Sequence, residues 1–165
     1  MTPVQICPVP HNQRPSNEYL NLKVSFNFSW VFQSTEKFFY SIIKNIGLNY
    51  GAVYIIQSTI QTKNNQITLK IISELLLFTT ILSLIYIIQS YLACLYVYNR
   101  LMLSSVTYEE SGWYDGQTWI KSKETLLQDR LIGIYELHPK IERLKITLVA
   151  LVIVLLESLI VYRLS

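Results

Sequence analysis

Charge is scarce in this chain. Only 15% of its 165 residues are Asp, Glu, Lys or Arg, against roughly 25% in ordinary soluble domains, while 51% are hydrophobic and the mean hydropathy is +0.30. The net charge of +3 is dispersed along the chain and leaves no basic tract of the kind a nucleic-acid protein needs. Cysteine is as sparse. Cys7 and Cys94 are too far apart to make a disulfide framework or a zinc spacing, which suits a reducing compartment. Neither His11 nor His138 has a partner at metal-binding spacing, and no pair of histidines crosses an apolar run as in a haem or di-iron helix. No G-x-S-x-G, P-loop or dinucleotide fingerprint is present, nor any internal repeat, low-complexity tract or flexible linker. The stretch Met1 to Arg14 holds three prolines and lacks both the apolar core of a signal peptide and the Arg/Ser-rich amphipathic pattern of a transit peptide. A location in an organelle then implies synthesis there.

What is present is apolar and long. Leu75 to Tyr98 runs 24 residues without a charge, more than the roughly 20 helical residues that a hydrocarbon core requires, and its tyrosines (Tyr91, Tyr96, Tyr98) suit an interfacial aromatic belt. Ile146 to Tyr162 is a shorter run of 17 residues interrupted by Glu157. Lys140, Arg143 and Lys145 before it and Arg163 after it can reach the two interfaces with their long side chains. Glu157 is the costliest residue to bury in a span, and its position near Tyr162 brings it close to the interface. A third segment, Phe38 to Ile60, is broken up by Lys44, Asn45, Gly47 and Gly51, and reads either as a first span or as an amphipathic helix in the interface.

Charge distribution favours three spans. The side carrying the N-terminal arm and the Arg100 to Lys145 loop then holds ten Lys and Arg and the other side three, Lys63, Lys70 and Arg163. That bias is what cytoplasmic-type loops show. Two spans would give seven against seven. The expected fold is therefore a mostly α membrane protein of two to three transmembrane helices with a structured loop. Its segments are an arm over 1–37, a weak span or interfacial helix over 38–60, a span over 75–98, the loop over 99–145 and a span over 146–162.

The loop carries the specificity. Val106 and Tyr108 alternate ahead of aromatics that flank Asp115-Gly116, a dipeptide suited to a tight hairpin turn, so a short hairpin or compact aromatic loop is expected. Ser122 can cap a helix to about Leu137, with Leu127, Leu131, Ile134 and Tyr135 on one face and Gln128, Asp129 and Glu136 on another. Pro139 should end that helix, and can also open the next one. Tyr108, Trp113, Tyr114 and Trp119, beside Glu109, Glu110 and Asp115, have the composition of a protein contact surface; a self-packed mini-core is the plainer reading. Glu109, Glu110 and Asp115 are hard-cation ligands by type, yet neighbouring residues of a strand point to opposite faces. The rival to docking is a membrane-bound enzyme or a metal or cofactor carrier using these acids, His138 or Cys7. A transporter needs more intramembrane polar groups than Lys44 and Glu157.

Two ordered strings, CPVPHNQRPSNEYLNL from Cys7 to Leu22 and the loop from Val106 to Leu148 beginning VTYEESGWYDGQTW, resemble the hypothetical chloroplast reading frame thirty-six family of cyanobacteria and plastids. The resemblance supplies no catalytic residue or cofactor. It implies a plastid-encoded, multi-pass membrane protein, of the thylakoid by expectation, with the cation-rich side facing the stroma and the arm and loop packed there together. The function it implies is non-enzymatic: assistance to the assembly, maintenance or protection of a photosynthetic membrane complex, with lipid as the other partner.

Overall fold

The computed structural model describes residues 8–60, 69–109 and 116–164. It is mostly helical, with one two-stranded sheet, and its elements fall into two compact units, one of Met1–Ser29 with Leu92–Ile141, the other of Trp30–Tyr91 with Glu142–Ser165.

In the first unit the arm folds through a 3-10 turn, His11–Gln13, into helix α1, Pro15–Val24. Pro15 occupies the first helical turn, where its missing N–H costs nothing and its fixed φ is already helical. The hairpin is present as β1, Ser105–Tyr108, antiparallel to β2, Gln117–Ile120, with Val106 opposite Trp119 and Tyr108 opposite Gln117. The expected tight turn at Asp115-Gly116 includes Asp115, which lies outside the described residues. Period-two alternation puts Val106 and Tyr108 inward on one face, where they pack with Val9 and the half-buried Trp119.

Helix α4, Lys123–Leu131, starts where expected, with the Ser122 hydroxyl accepting from the Thr125 backbone N–H at 3.3 Å. Pro139 does not break the helical run. A π turn, Ile132–Leu137, leads directly into α5, His138–Leu164, and the His138 N–H bonds to the Gly133 carbonyl. The proline ring would collide with the carbonyl four residues back in a regular helix, and the wider π turn lies over that carbonyl. Gly133 meets the end of α3, where a Cβ would lie 3.3 Å from Met102 Sδ and 3.7 Å from Leu101 Cβ.

The second unit contains α2, Thr35–Ile60, most of α3, Leu69–Met102, and the body of α5. α2 runs unbroken through Lys44, Asn45, Gly47 and Gly51. The interruption seen in composition is not one in backbone geometry. Trp30 stacks on Phe38 at 5.2 Å and on Tyr86 at 5.4 Å, and the Arg143 guanidinium lies 5.4 Å from the Phe38 ring centroid. Asn49 of α2 donates to Asn45 Oδ1 at 3.1 Å and to Ser83 Oγ of α3 at 3.4 Å.

Both long apolar helices extend beyond the apolar runs they contain. Among the described residues two helical runs are long and apolar enough to cross a membrane, Ile72–Met102 and Lys123–Arg163. On α3 the buried positions Thr80, Ser83, Ile87, Ser90, Cys94, Val97 and Leu101 recur every three or four residues, while Phe78, Ile81, Ile85 and Leu92 are exposed. The inward hydroxyls bond to carbonyls of their own helix, Thr80 to Leu77, Ser83 to Thr79 and Ser90 to Tyr86, at 2.8 to 3.1 Å.

Candidate functional site

The arm and the loop are joined by polar groups that the sequence does not mark as a set. Gln13 mimics a strand edge: its Nε2 donates to the Glu109 carbonyl at 3.0 Å while its Oε1 accepts from the Glu109 N–H at 2.9 Å. Arg100, near the end of α3, is the centre of this network. Its guanidinium donates to Glu18, to Tyr96 Oη at 3.0 Å, to the Gln13 carbonyl at 3.1 Å and to the Thr107 carbonyl at 3.2 Å. The planar fork of arginine suits acceptors arriving from several directions. Burial pushes the Glu18 carboxyl above its usual range, and Arg100 pulls it part of the way back.

Lys121 follows β2 and its side chain is 1% exposed. Its ammonium meets Asp129 Oδ2 at 2.6 Å and donates to the Arg100 and Leu101 carbonyls at 3.0 and 3.2 Å. Three acceptors satisfy its three protons, and two of them are carbonyls in the last turn of α3, where a cation also opposes the helix dipole. Tyr19 of α1 donates to Glu136 in the π turn, and Lys23 joins the same carboxylate at 3.2 Å. Burial first, and then that hydrogen bond to a carboxylate, push the Tyr19 phenol up to about 12.

The residues expected to dock a partner divide three ways. Tyr108 is buried, with its hydroxyl donating to Gln117 Oε1 at 2.8 Å, and Trp119 packs against the same small core. Both serve the mini-core. Glu109 is exposed, with its backbone taken up by Gln13. Glu110, Trp113, Tyr114 and Asp115 lie outside the described residues, as does Cys7. His138 is exposed, 6.0 Å from the Tyr98 ring centroid. Among the described residues no three His, Cys, Asp or Glu side chains gather as a metal site. Lys44 and Glu157 are both exposed on their helices.

The amphipathic helix is oriented in the reverse sense to a soluble one. Leu127, Leu131, Ile134 and Tyr135 are 62%, 55%, 47% and 74% exposed, while Asp129, Gly133 and Leu137 face inward. Lys121 holds Asp129 inward, and Gly133 permits close contact with α3, so the apolar side is left outside. The 3.6-residue pattern identifies that face, but not which way it points.

The model of one protein family, CGLD27-like (conserved in the green lineage and diatoms 27), matches residues 7–150, a stretch that takes in the arm, α2, α3, the hairpin and α4. The chain belongs to the CGLD27-like family. It is 35% identical over 153 residues to the uncharacterized protein ycf36 of Cyanophora paradoxa, covering 90% of this chain and 93% of that one. To the ycf36 protein of Porphyra purpurea it is 39% identical over 145 residues, 86% of each chain. The chloroplastic protein conserved in the green lineage and diatoms 27 of Arabidopsis thaliana is 32% identical over 162 residues, 93% of this chain and 47% of that longer one. The resemblance carried by the CPVP arm and the YEESGWYDGQ loop is thereby borne out, and the CGLD27-like relatives are proteins of plastids. No solved structure matches the chain.

Proposed function

We propose that this CGLD27-like chain is a multi-pass membrane protein of the plastid, in the thylakoid, that assists the assembly, maintenance or protection of a photosynthetic complex. The observation carrying the membrane reading is the arrangement of α3. Hydroxylic and small residues (Thr79, Thr80, Ser83, Ser90, Cys94) are buried beside Leu75, Ile87, Val97 and Leu101, a second broad face of Ile72, Leu76, Phe78, Ile81, Ile85, Leu92 and Tyr96 is turned outward, and the inward hydroxyls are satisfied within the helix. A core helix in water has the reverse order, whereas helices in lipid pack through small residues and turn large apolar ones to the acyl chains. α5 adds an outward surface of Ile146, Val149, Ile153, Leu156 and Ile160. Such an apolar area far exceeds the isolated exposed residues ordinary on a soluble monomer.

Docking is assigned to the outward face of α4 and the π turn, Leu127, Leu131, Ile134 and Tyr135, with the 109–116 connection beside it in sequence. An apolar and aromatic patch next to Lys123 and Arg130 has the make-up of an interface centre and rim. The test is affinity purification of the tagged full-length chain from plastid membranes in mild detergent, with mass spectrometry of the eluate. Subunits of one photosynthetic complex should co-elute, and Leu131→Glu or Tyr135→Ser should abolish that co-elution while leaving the chain in the membrane. Recovery of the chain without complex subunits overturns the accessory role.

A further inference from the structure

We infer that α2 crosses the bilayer as the first of three spans, with Phe39, Tyr40, Ile43, Tyr50, Tyr54 and Ile55 on its exposed face against lipid acyl chains. The inference rests on the membrane reading of α3 and α5 and goes beyond it, because α2 is absent from the helices apolar enough to qualify on composition.

The reason is parity. The arm precedes α2, and the hairpin with α4 follows α3. Arm and hairpin nevertheless belong to one compact unit, joined by the paired Gln13–Glu109 bonds and by Arg100, which binds Glu18 and the Gln13 carbonyl on one hand and the Thr107 carbonyl on the other. Segments bonded in this way lie on the same side of a membrane. The chain between them must then cross an even number of times. α3 crosses once, and among the described residues α2 is the other helix in that interval, so α2 supplies the second crossing.

The helix is built for it in ways that composition hides. Its 26 residues give a length of about 39 Å at 1.5 Å per residue, more than the roughly 30 Å hydrocarbon core. Three of the polar groups that lower its hydropathy have partners: Asn49 bonds Asn45 and Ser83 of α3, Ser41 bonds the Lys37 carbonyl, and Ser58 bonds the Ile55 carbonyl. Polar side chains between helices are accepted in lipid on these terms. Lys44 is exposed, and because Cα–Cβ bonds tilt toward a helix N-terminus, its long side chain leads back to the arm's interface. The ten-to-three division of Lys and Arg follows from the same topology and is independent of any packing.

The experiment uses the full-length chain in sealed membrane vesicles, with Cys7→Ser and Cys94→Ser as background. Single cysteines replace the exposed residues Asn12, Ser58, Glu124 and Arg163, and each is labelled with a membrane-impermeant maleimide before and after permeabilisation. Asn12→Cys and Glu124→Cys should share one accessibility, and Ser58→Cys and Arg163→Cys the opposite one. Labelling of Ser58→Cys together with Asn12→Cys, in a chain that resists alkaline carbonate extraction, overturns the crossing of α2 alone. Release of the chain by carbonate overturns the membrane reading on which it rests.

Discussion

Lys121 illustrates what a single residue can do that its neighbourhood in sequence hides. It lies in the polar string Lys-Ser-Lys, where a solvated side chain is the default, yet it is buried against Asp129 and two carbonyls. Removing one member of a buried ion pair leaves the other uncompensated, so Lys121→Ala should destabilise the first unit by roughly 3–5 kcal/mol. The double variant Lys121→Met, Asp129→Leu should recover most of that loss, because a well-packed apolar pair replaces a desolvated one. Thermal unfolding of the purified chain in detergent checks both. Tyr19 gives a pH test. Its folded phenol keeps its proton up to about 12 instead of the usual 10.0, so across that window the unfolded chain binds fewer protons. The contribution is fully present below 10.0 and is lost as pH rises through about 12. Tyr19→Phe should remove that part of the alkaline dependence, read from unfolding midpoints over the same range.

Elements follow from local chemistry where the determinants are local. The Ser122 cap, the alternation of Val106 and Tyr108 and the long run of α3 are all legible, because each depends on residues within a turn or a strand. The register of the two strands was not. Register is set by which residues can be buried, and burying Val106, Tyr108 and Trp119 together fixes Val106 opposite Trp119. Pro139 is a second case: its ring forbids a regular helix, and whether the chain breaks or widens into a π turn depends on the packing of Gly133 and Leu137. Gly133→Leu should push the π turn from the end of α3 and cost about 1–3 kcal/mol. Gly133→Ala should be far milder, since its Cβ meets mainly the flexible end of Met102. Denaturant unfolding of both variants separates a volume effect from a helix-propensity effect.

At the scale of the whole molecule, the arm and the loop form one unit although α2 and α3 intervene. Deleting residues 1–29 should leave Arg100 without Glu18 and the Gln13 carbonyl, and uncover the Val9 side of the hairpin core. The expected outcome is rapid protease cleavage in the loop with the helices still retained in the membrane fraction, read by limited proteolysis followed by sedimentation. The sequence by itself determined the long apolar runs of α3 and α5 and the cap at Ser122, because hydropathy and capping are properties of short segments, and two ordered strings carried the family. Only the tertiary structure decided that the apolar face of α4 points away from its own unit and that Arg100 and Lys121 are spent internally on the arm, the hairpin and α4. Those outcomes depend on which of several competing partners a side chain meets. That choice is made by packing between segments distant in sequence.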